Sequence, residues 1–173
     1  MPKRKSSIQA DSNVDEPIEP DLGRAFDLVM QLMPIPGKTG QEQQVADVVI
    51  KHLRDAGAAA SAIKTDSAHR RTPNPGQLGN LALKLPGTIR GPRRLLSAHL
   101  DTVPICVGSQ PVRKGNIVRS ANPRSGLGAD DRAGCAVLLN TAIEILTRKL
   151  PHPPLTFCWF VQEETGLNGS RHL

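Results

Sequence analysis

The chain has 173 residues, with 22 Lys or Arg against 16 Asp or Glu, so its formal net charge is +6. Three Phe, one Trp and no Tyr argue against the aromatic platform on which single-stranded nucleic acids stack. No apolar run reaches the ~18–20 residues that span a bilayer, so we exclude an integral membrane protein.

Residues 1–20 predict a disordered tail. They combine a basic start with a Ser-rich and then acidic, Pro-containing stretch, and few of them are apolar. The basic start has no apolar stretch behind it, so it does not predict a secretory signal.

Two helices are predicted next. Across residues 21–33 apolar side chains recur at helical spacing, and the pattern ends before a Pro. Thr39 and Glu42 stand in a Thr-x-x-Glu relation, which predicts a capping box in which each side chain bonds the other residue's amide. A second amphipathic helix follows, and Gly57 supplies its C-terminal stop.

Short strands and one more helix are predicted in the rest of the chain. The strands alternate with the helices, which predicts an α/β layer fold with a largely parallel sheet. The apolar run within the third predicted strand is typical of a sheet covered on both faces. In order, we predict strands over 58–65, 80–85 and 95–98, a hairpin or an irregular excursion over 110–119, a helix over 132–146 and a strand over 155–161.

Polar clusters follow the predicted apolar runs. In open α/β sheets, ligand sites collect at the carboxyl ends of the strands, so this placement predicts a functional site. The clusters are Ser97–Thr102, Gly128–Gly134 and Gln162–Gly166.

His99 and Asp101 are two residues apart, so on a strand both side chains point to one face. One imidazole nitrogen of His99 can then bind a metal while Asp101 accepts the proton of the other and fixes the ring. The alternative is a structural hydrogen bond between the two side chains.

Two pairs of adjacent carboxylates complete the candidate site. Asp130 and Asp131 open a helix, where capping is the simpler explanation. Glu163 and Glu164 follow a buried strand, where one can ligate a metal while the other handles protons, although such pairs are often just solvated. A carboxylate with two oxygens can bridge two metal ions.

Taken in order, these motifs resemble the co-catalytic di-zinc exopeptidases, and most of all the peptidase T (tripeptide aminopeptidase) branch. The resemblance covers roughly residues 21–173 and implies a three-layer zinc-exopeptidase-type α/β fold with a largely parallel mixed sheet, apparently truncated. The motifs that carry it are His99-Leu100-Asp101-Thr102-Val103-Pro104, Gly128-Ala129-Asp130-Asp131-Arg132-Ala133-Gly134 and Glu163-Glu164-Thr165-Gly166.

The resemblance also implies a role for each site residue. His99 would ligate the first metal and Asp101 would orient it. Asp130, followed by a cis peptide bond, would bridge both metals, and Glu164 would bind the second. Glu163 would be the general base that activates water. The implied cofactor is two zinc ions, with cobalt or manganese as alternatives.

The sequence departs from the family pattern after the last motif. The family takes one further ligand per metal, an acidic residue shortly after the Glu-Glu pair and a distant His, and the sequence ends at Leu173, nine residues after Glu164. The smaller lid and dimerisation domain is also missing. We therefore expect residues 21–173 to be the N-terminal portion of a catalytic domain, with a homodimer only in a full-length form.

The expected function is metal-dependent hydrolysis of a peptide bond near the N-terminus of small peptides. The alternatives are deacylation of N-acyl amino acids and a non-catalytic remnant that binds metal weakly. A basic nucleic-acid binder is disfavoured by the acidic motifs, and no membrane partner is expected. Three widely spaced cysteines without a Cys-x-x-Cys motif indicate reduced thiols, no disulfide and a cytoplasmic location.

Overall fold

The computed structural model describes residues 18–173, so most of the predicted tail, residues 1–17, lies outside the described residues. The domain boundaries expected from the sequence stay a prediction. The helices are α1 (Leu22–Leu32), α2 (Gln43–Asp55) and α3 (Ala129–Arg148). The strands are β1 (Ile63–Thr65), β2 (Leu81–Leu85), β3 (Arg94–His99), β4 (Pro111–Lys114), β5 (Ile117–Ser120) and β6 (Leu155–Phe160).

Four strands form a mixed sheet in the order β1-β2-β6-β3, which confirms the α/β fold class. β2 is antiparallel to both β1 and β6, and β3 runs parallel to β6. Strands β4 and β5 form a separate hairpin whose turn contains Gly115 at φ 62°. Within residues 18–173, no helix is long and apolar enough to cross a membrane.

The core lies between one face of the sheet and the three helices. Side chains on this face alternate along β2 and β6, as the period of a strand requires, and they pair across the register. The main members are Leu81, Leu83 and Leu85 of β2 with Leu155, Phe157 and Trp159 of β6, covered by Leu32, Val49, Leu53 and Leu139 of the helices.

β3 is less covered than its apolar sequence predicts. Within the described residues it is an end strand of the sheet, and Leu95 is 53% exposed while Ala98 is buried. Within the described residues the prediction of a sheet covered on both faces is therefore wrong for this strand, because the face that carries Leu95 and Ser97 is exposed.

The start of α3 is irregular. Gly128 adopts a left-handed conformation at φ 76°, and Asp130 and Asp131 have non-helical dihedral angles. The peptide bond between these two aspartates is cis, as the resemblance implies. Regular helix therefore begins at Arg132, where the sequence pattern predicts it.

The predicted capping box is wrong. α2 begins at Gln43, and Glu42 makes no side-chain cap bond to it. The Thr39 hydroxyl donates instead to Asp101 Oδ2 at 2.7 Å. Glu42 Oε1 accepts from the backbone amides of Gly40 at 2.8 Å and Gln162 at 3.2 Å. Both side chains bond distant segments, because the carboxyl ends of β3 and β6 lie against this turn.

Candidate metal centre

The three polar clusters meet at one edge of the sheet. His99 ends β3, and Glu163 and Glu164 follow the end of β6. Because β3 and β6 are parallel, their carboxyl ends share an edge. The irregular start of α3 brings Asp130 to the same place, with its carboxylate Oδ1 3.1 Å from His99 Nε2.

Three side chains of different segments converge there with the chemistry of metal ligands. His99, Asp130 and Glu164 each offer one ligand atom, and these atoms lie within 4.8 Å of one another. Glu163 faces the same point, with Oε2 3.6 Å from His99 Nε2. Imidazole and carboxylate are the donor types that zinc takes in catalytic sites, so the residues present fit a divalent cation.

Backbone contacts hold the His99 ring. Its Nδ1 lies 3.0 Å from the carbonyl oxygen of Asp101 and 3.6 Å from the carboxylate Oδ1 of the same residue. A carbonyl can only accept, so Nδ1 carries the proton and Nε2 is the atom that faces the acidic cluster. Asp131 fixes the strand end, because its Oδ2 accepts from the His99 amide at 3.2 Å and its Oδ1 from the Gly134 amide at 2.9 Å.

The Asp101 carboxylate is buried and accepts three hydrogen bonds. Thr39 Oγ1 donates to Oδ2 at 2.7 Å, the Glu163 amide to Oδ1 at 2.8 Å and the Glu164 amide to Oδ2 at 3.2 Å. Burial acts to raise the pKa of Asp101, but the neighbouring His99 ring and the hydrogen bonds from Thr39 and the two amides hold that pKa below the usual value. Asp101 therefore stays ionised and joins β3 to the Glu163–Glu164 turn.

The charges of the cluster favour a cation. Burial acts to lower the pKa of His99, but the neighbouring carboxylates of Asp101, Asp131 and Glu163 raise it to about 9. Burial raises the pKa of Glu164, and nearby Asp130 raises it further against the opposing effect of His99. A divalent cation bound at Nε2 must consequently displace a proton from His99 at neutral pH.

Sequence reasoning missed the buried polar residues behind the ligands. Glu42 and Gln162 are fully buried, and so is Arg132, whose guanidinium donates to the carbonyl oxygens of Leu100 and Ile35. The spacing of Thr39 and Glu42 carries a signal, but it predicts a local helix cap and not the bonds to Asp101 and Gln162. Arg132 and Gln162 adjoin the acidic pairs, and only their position beside those pairs could have marked them.

Comparisons with known proteins give a family match and several relatives. Residues 80–173 match the family described as Peptidase family M28. An uncharacterised Bacillus subtilis protein is 28% identical over 150 residues, which cover 87% of this chain and 39% of that protein. A putative succinyl-diaminopimelate desuccinylase of Mycobacterium tuberculosis is 30% identical over 143 residues, which cover 82% of this chain and 34% of that protein.

Two solved peptidase structures have a similar fold. A tripeptidase from Staphylococcus aureus superposes with a TM-score of 0.78 at 28% identity, covering 89% of this chain and 40% of that one. The aminopeptidase PepT from Bacillus cereus gives the same four values. The chain thus spans two fifths or less of the length of these relatives.

Proposed function

Because the chain belongs to peptidase family M28 through residues 80–173, we propose that it provides the metal site of an exopeptidase that cleaves small peptides near their N-terminus. The observation that carries the proposal is the convergence of His99, Asp130 and Glu164 within 4.8 Å. The resemblance to the co-catalytic zinc exopeptidases is confirmed at the level of the superfamily. The N-terminal preference rests on the likeness to a tripeptidase and an aminopeptidase.

We propose zinc as the metal and assign its ligands by the positions of the side chains. His99 and Asp130 would hold one ion, and Asp130 and Glu164 a second. Asp130 suits the shared position because its carboxylate is exposed at the start of α3 and offers two oxygens. Bound divalent cations at such a site supply Lewis acidity toward a peptide carbonyl and toward water.

Glu163 is the proposed general base. Its carboxylate is about one-third exposed and lies beside the three ligands without being one of them. Its Oε2 would take a proton from the attacking water and pass it to the nitrogen of the leaving amine. Asp101 supports this step by holding the amides of both Glu163 and Glu164.

A deacylase of N-acyl amino acids is the second candidate. It is favoured by the 30% identity with a putative succinyl-diaminopimelate desuccinylase. Both reactions cleave an amide bond, so the same general base would serve either one. They differ in the acyl group that is cleaved from the amide nitrogen. It is an aminoacyl group with a free amino terminus in a peptide, and the acyl group of an organic acid in an N-acyl amino acid.

A cytoplasmic location and a homodimeric longer form are also part of the proposal. The three cysteines are free, which supports a reducing compartment. The dimer rests on the family resemblance.

The proposal is tested first by metal binding. Titration of the chain with Co²⁺, followed by its visible absorption, should give a saturable spectrum that Asp130→Asn removes. No saturable binding, or equal binding by the Asp130→Asn variant, would refute the metal site. Assays with tripeptides and with N-succinyl amino acids then separate the two candidate reactions, and cleavage of the succinyl compounds alone would refute the peptidase assignment.

A further inference from the structure

Three successive backbone amides at the end of β6 each donate to a buried carboxylate. The Gln162 amide donates to Glu42 Oε1 at 3.2 Å. The Glu163 and Glu164 amides donate to Asp101 Oδ1 and Oδ2 at 2.8 and 3.2 Å. Glu42 and Asp101 are both 0% exposed, so the segment that carries the general base and a metal ligand is held from inside the protein.

Gln162 has the backbone conformation that makes this turn. Its φ is 55°, in the left-handed region that a side chain with a Cβ rarely adopts. Its carbonyl oxygen accepts from the Asn168 amide at 3.1 Å, and its side-chain Nε2 donates to the Asn74 carbonyl oxygen at 3.1 Å. Residues held in such conformations persist only where the surroundings fix them, and they concentrate at functional sites.

The hydrogen bond from the Gln162 amide is accepted by a carboxylate, Glu42, whose burial destabilises the fold. Burial raises the pKa of Glu42, and hydrogen bonds from the Gly40 and Gln162 amides offset this only in part. Its second oxygen, Oε2, has no hydrogen-bond partner among residues 18–173. A buried carboxylate with an unpartnered oxygen lowers the stability of the fold, so stability alone does not explain this side chain.

The turn that carries Glu42 also bonds the carboxylate of Asp101, the acceptor of the other two amides. Thr39 donates its hydroxyl proton to Asp101 Oδ2, and the Gly40 amide donates to Glu42 Oε1. The segment 39–42 thus fixes both acceptors of the three amides. Since the acceptors belong to different parts of the chain, the direction of the Glu163–Glu164 segment depends on how this turn packs.

We propose that Glu42 is a positioning residue of the metal centre, whose carboxylate holds the Gln162 amide so that Glu164 points to the ligand cluster and Glu163 stands beside it. The proposal rests on the proposed function. Without the acceptor, Gln162 would relax out of its left-handed conformation and the two glutamates after it would turn with the peptide plane.

Two substitutions separate the hydrogen bond from the charge. Glu42→Gln removes the charge but keeps an oxygen that can accept from both amides. Glu42→Leu removes the charge and the acceptor at similar volume. Val49→Ala is the matched control, because Val49 is buried in α2, the helix that follows Glu42, and contributes to the apolar core.

The experiment is Co²⁺ titration of the full chain and its variants, followed by absorption and by thermal unfolding. Glu42→Leu should weaken Co²⁺ binding roughly tenfold or more and change the intensity of the visible bands, as loss of an outer-shell partner does. Glu42→Gln should bind close to wild type. Val49→Ala should unfold at lower temperature with unchanged Co²⁺ affinity.

Two results would overturn the proposal: a folded Glu42→Leu variant that binds Co²⁺ like wild type, or equal losses in the Gln and Leu variants. If the Leu variant does not fold, amide hydrogen exchange tests the proposal in wild type and in Glu42→Gln. In both proteins the Gln162 amide should be protected from exchange to the same degree as the Glu163 amide, and a faster exchange of the Gln162 amide would overturn the proposal. The proposed function fails separately, if Glu164→Gln leaves the wild-type Co²⁺ affinity unchanged.

Discussion

The core of this molecule and the edge of the sheet that carries the candidate metal ligands bury side chains of different chemistry. Under the helices, the sheet face is apolar, with Leu83, Phe157 and Trp159 fully buried. At the strand ends, the buried groups include the carboxylates of Glu42 and Asp101. Apolar burial stabilises the fold without directional partners, whereas each buried polar group needs partners that only the tertiary structure provides.

The edge also leaves polar atoms unpartnered that the core does not contain. Among the described residues, four side-chain atoms are buried without a hydrogen bond: Glu42 Oε2, Arg132 Nε and Gln162 Oε1 at this edge, and His69 Nδ1 in the loop before β2. Each such group costs about 1–3 kcal/mol of stability. The difference indicates that the core holds the molecule together and the edge is arranged for its chemistry, and substitutions in the two regions should therefore fail in different ways.

The largest effect is expected on turnover, from substitution of Glu163 or Glu164 at the edge. In the active protein, Glu163→Ala should lower turnover by about 10²–10⁴-fold, the usual contribution of a general acid–base, while metal content stays near wild type. Glu164→Ala should lose the second metal and activity together. Steady-state kinetics with metal analysis checks both variants, and each is the control for the other. Equal loss of metal in both variants would contradict the assignment of the base.

A core substitution should have the opposite signature. Phe157→Ala removes a fully buried ring from β6 and should lower the free energy of unfolding by about 3–5 kcal/mol. Co²⁺ affinity of the fraction that remains folded should not change, because Phe157 lies in the apolar core and pairs with Leu83 and Leu96, away from the strand ends that carry the ligands. Urea unfolding and Co²⁺ titration measure the two quantities. A parallel loss of both would show that the regions are not independent.

Metal affinity at the edge should depend on pH, because the edge contains a titrating histidine. The pKa of His99 is about 9 in the metal-free protein, and a metal binds the neutral ring. Below that pH a proton must leave, so affinity should rise by about tenfold per pH unit toward pH 9 and then level off. Calorimetry in buffers of different ionisation enthalpy should show about one proton released per ion at pH 7. Affinity that is flat between pH 6 and 8 would contradict this.

Local patterns predicted the core elements well because each depends on near neighbours. The second helix ends at Asp55, just before Gly57 at φ 94°, and the hairpin turns at Gly115. The convergence of His99 with the Glu163–Glu164 pair was also predictable. Parallel strands share an edge, so motifs that end two such strands must meet.

The partners of the buried polar groups could not be predicted from the sequence. Thr39 and Glu42 have the spacing of a capping box, yet they bond Asp101 and Gln162, which lie 62 and 120 residues further along the chain. Leu95 shows the same limit in an apolar residue, because its exposure depends on which strand ends the sheet. Spacing indicates what a residue can do locally, and tertiary packing decides which option is used.

The smallest expected effect needs no substitution, since the three thiols report on both regions. Cys135 and Cys158 are buried in the protein, and Cys106 is half-buried beside the segment that leads into α3. Burial raises the pKa of all three thiols, and that of Cys158 reaches about 12. Because the thiolate is the nucleophile, iodoacetamide at pH 8 should label Cys106 first and the other two at least about tenfold more slowly.

Cys135 also donates to the His99 carbonyl oxygen at 3.0 Å, so its labelling requires opening of the edge as well as the core. Mass spectrometry of the native and the unfolded chain should therefore find one modified cysteine and then three. A bridged pair would contradict the prediction of free thiols, and labelling of Cys135 as fast as Cys106 would contradict the burial of Cys135 behind the edge.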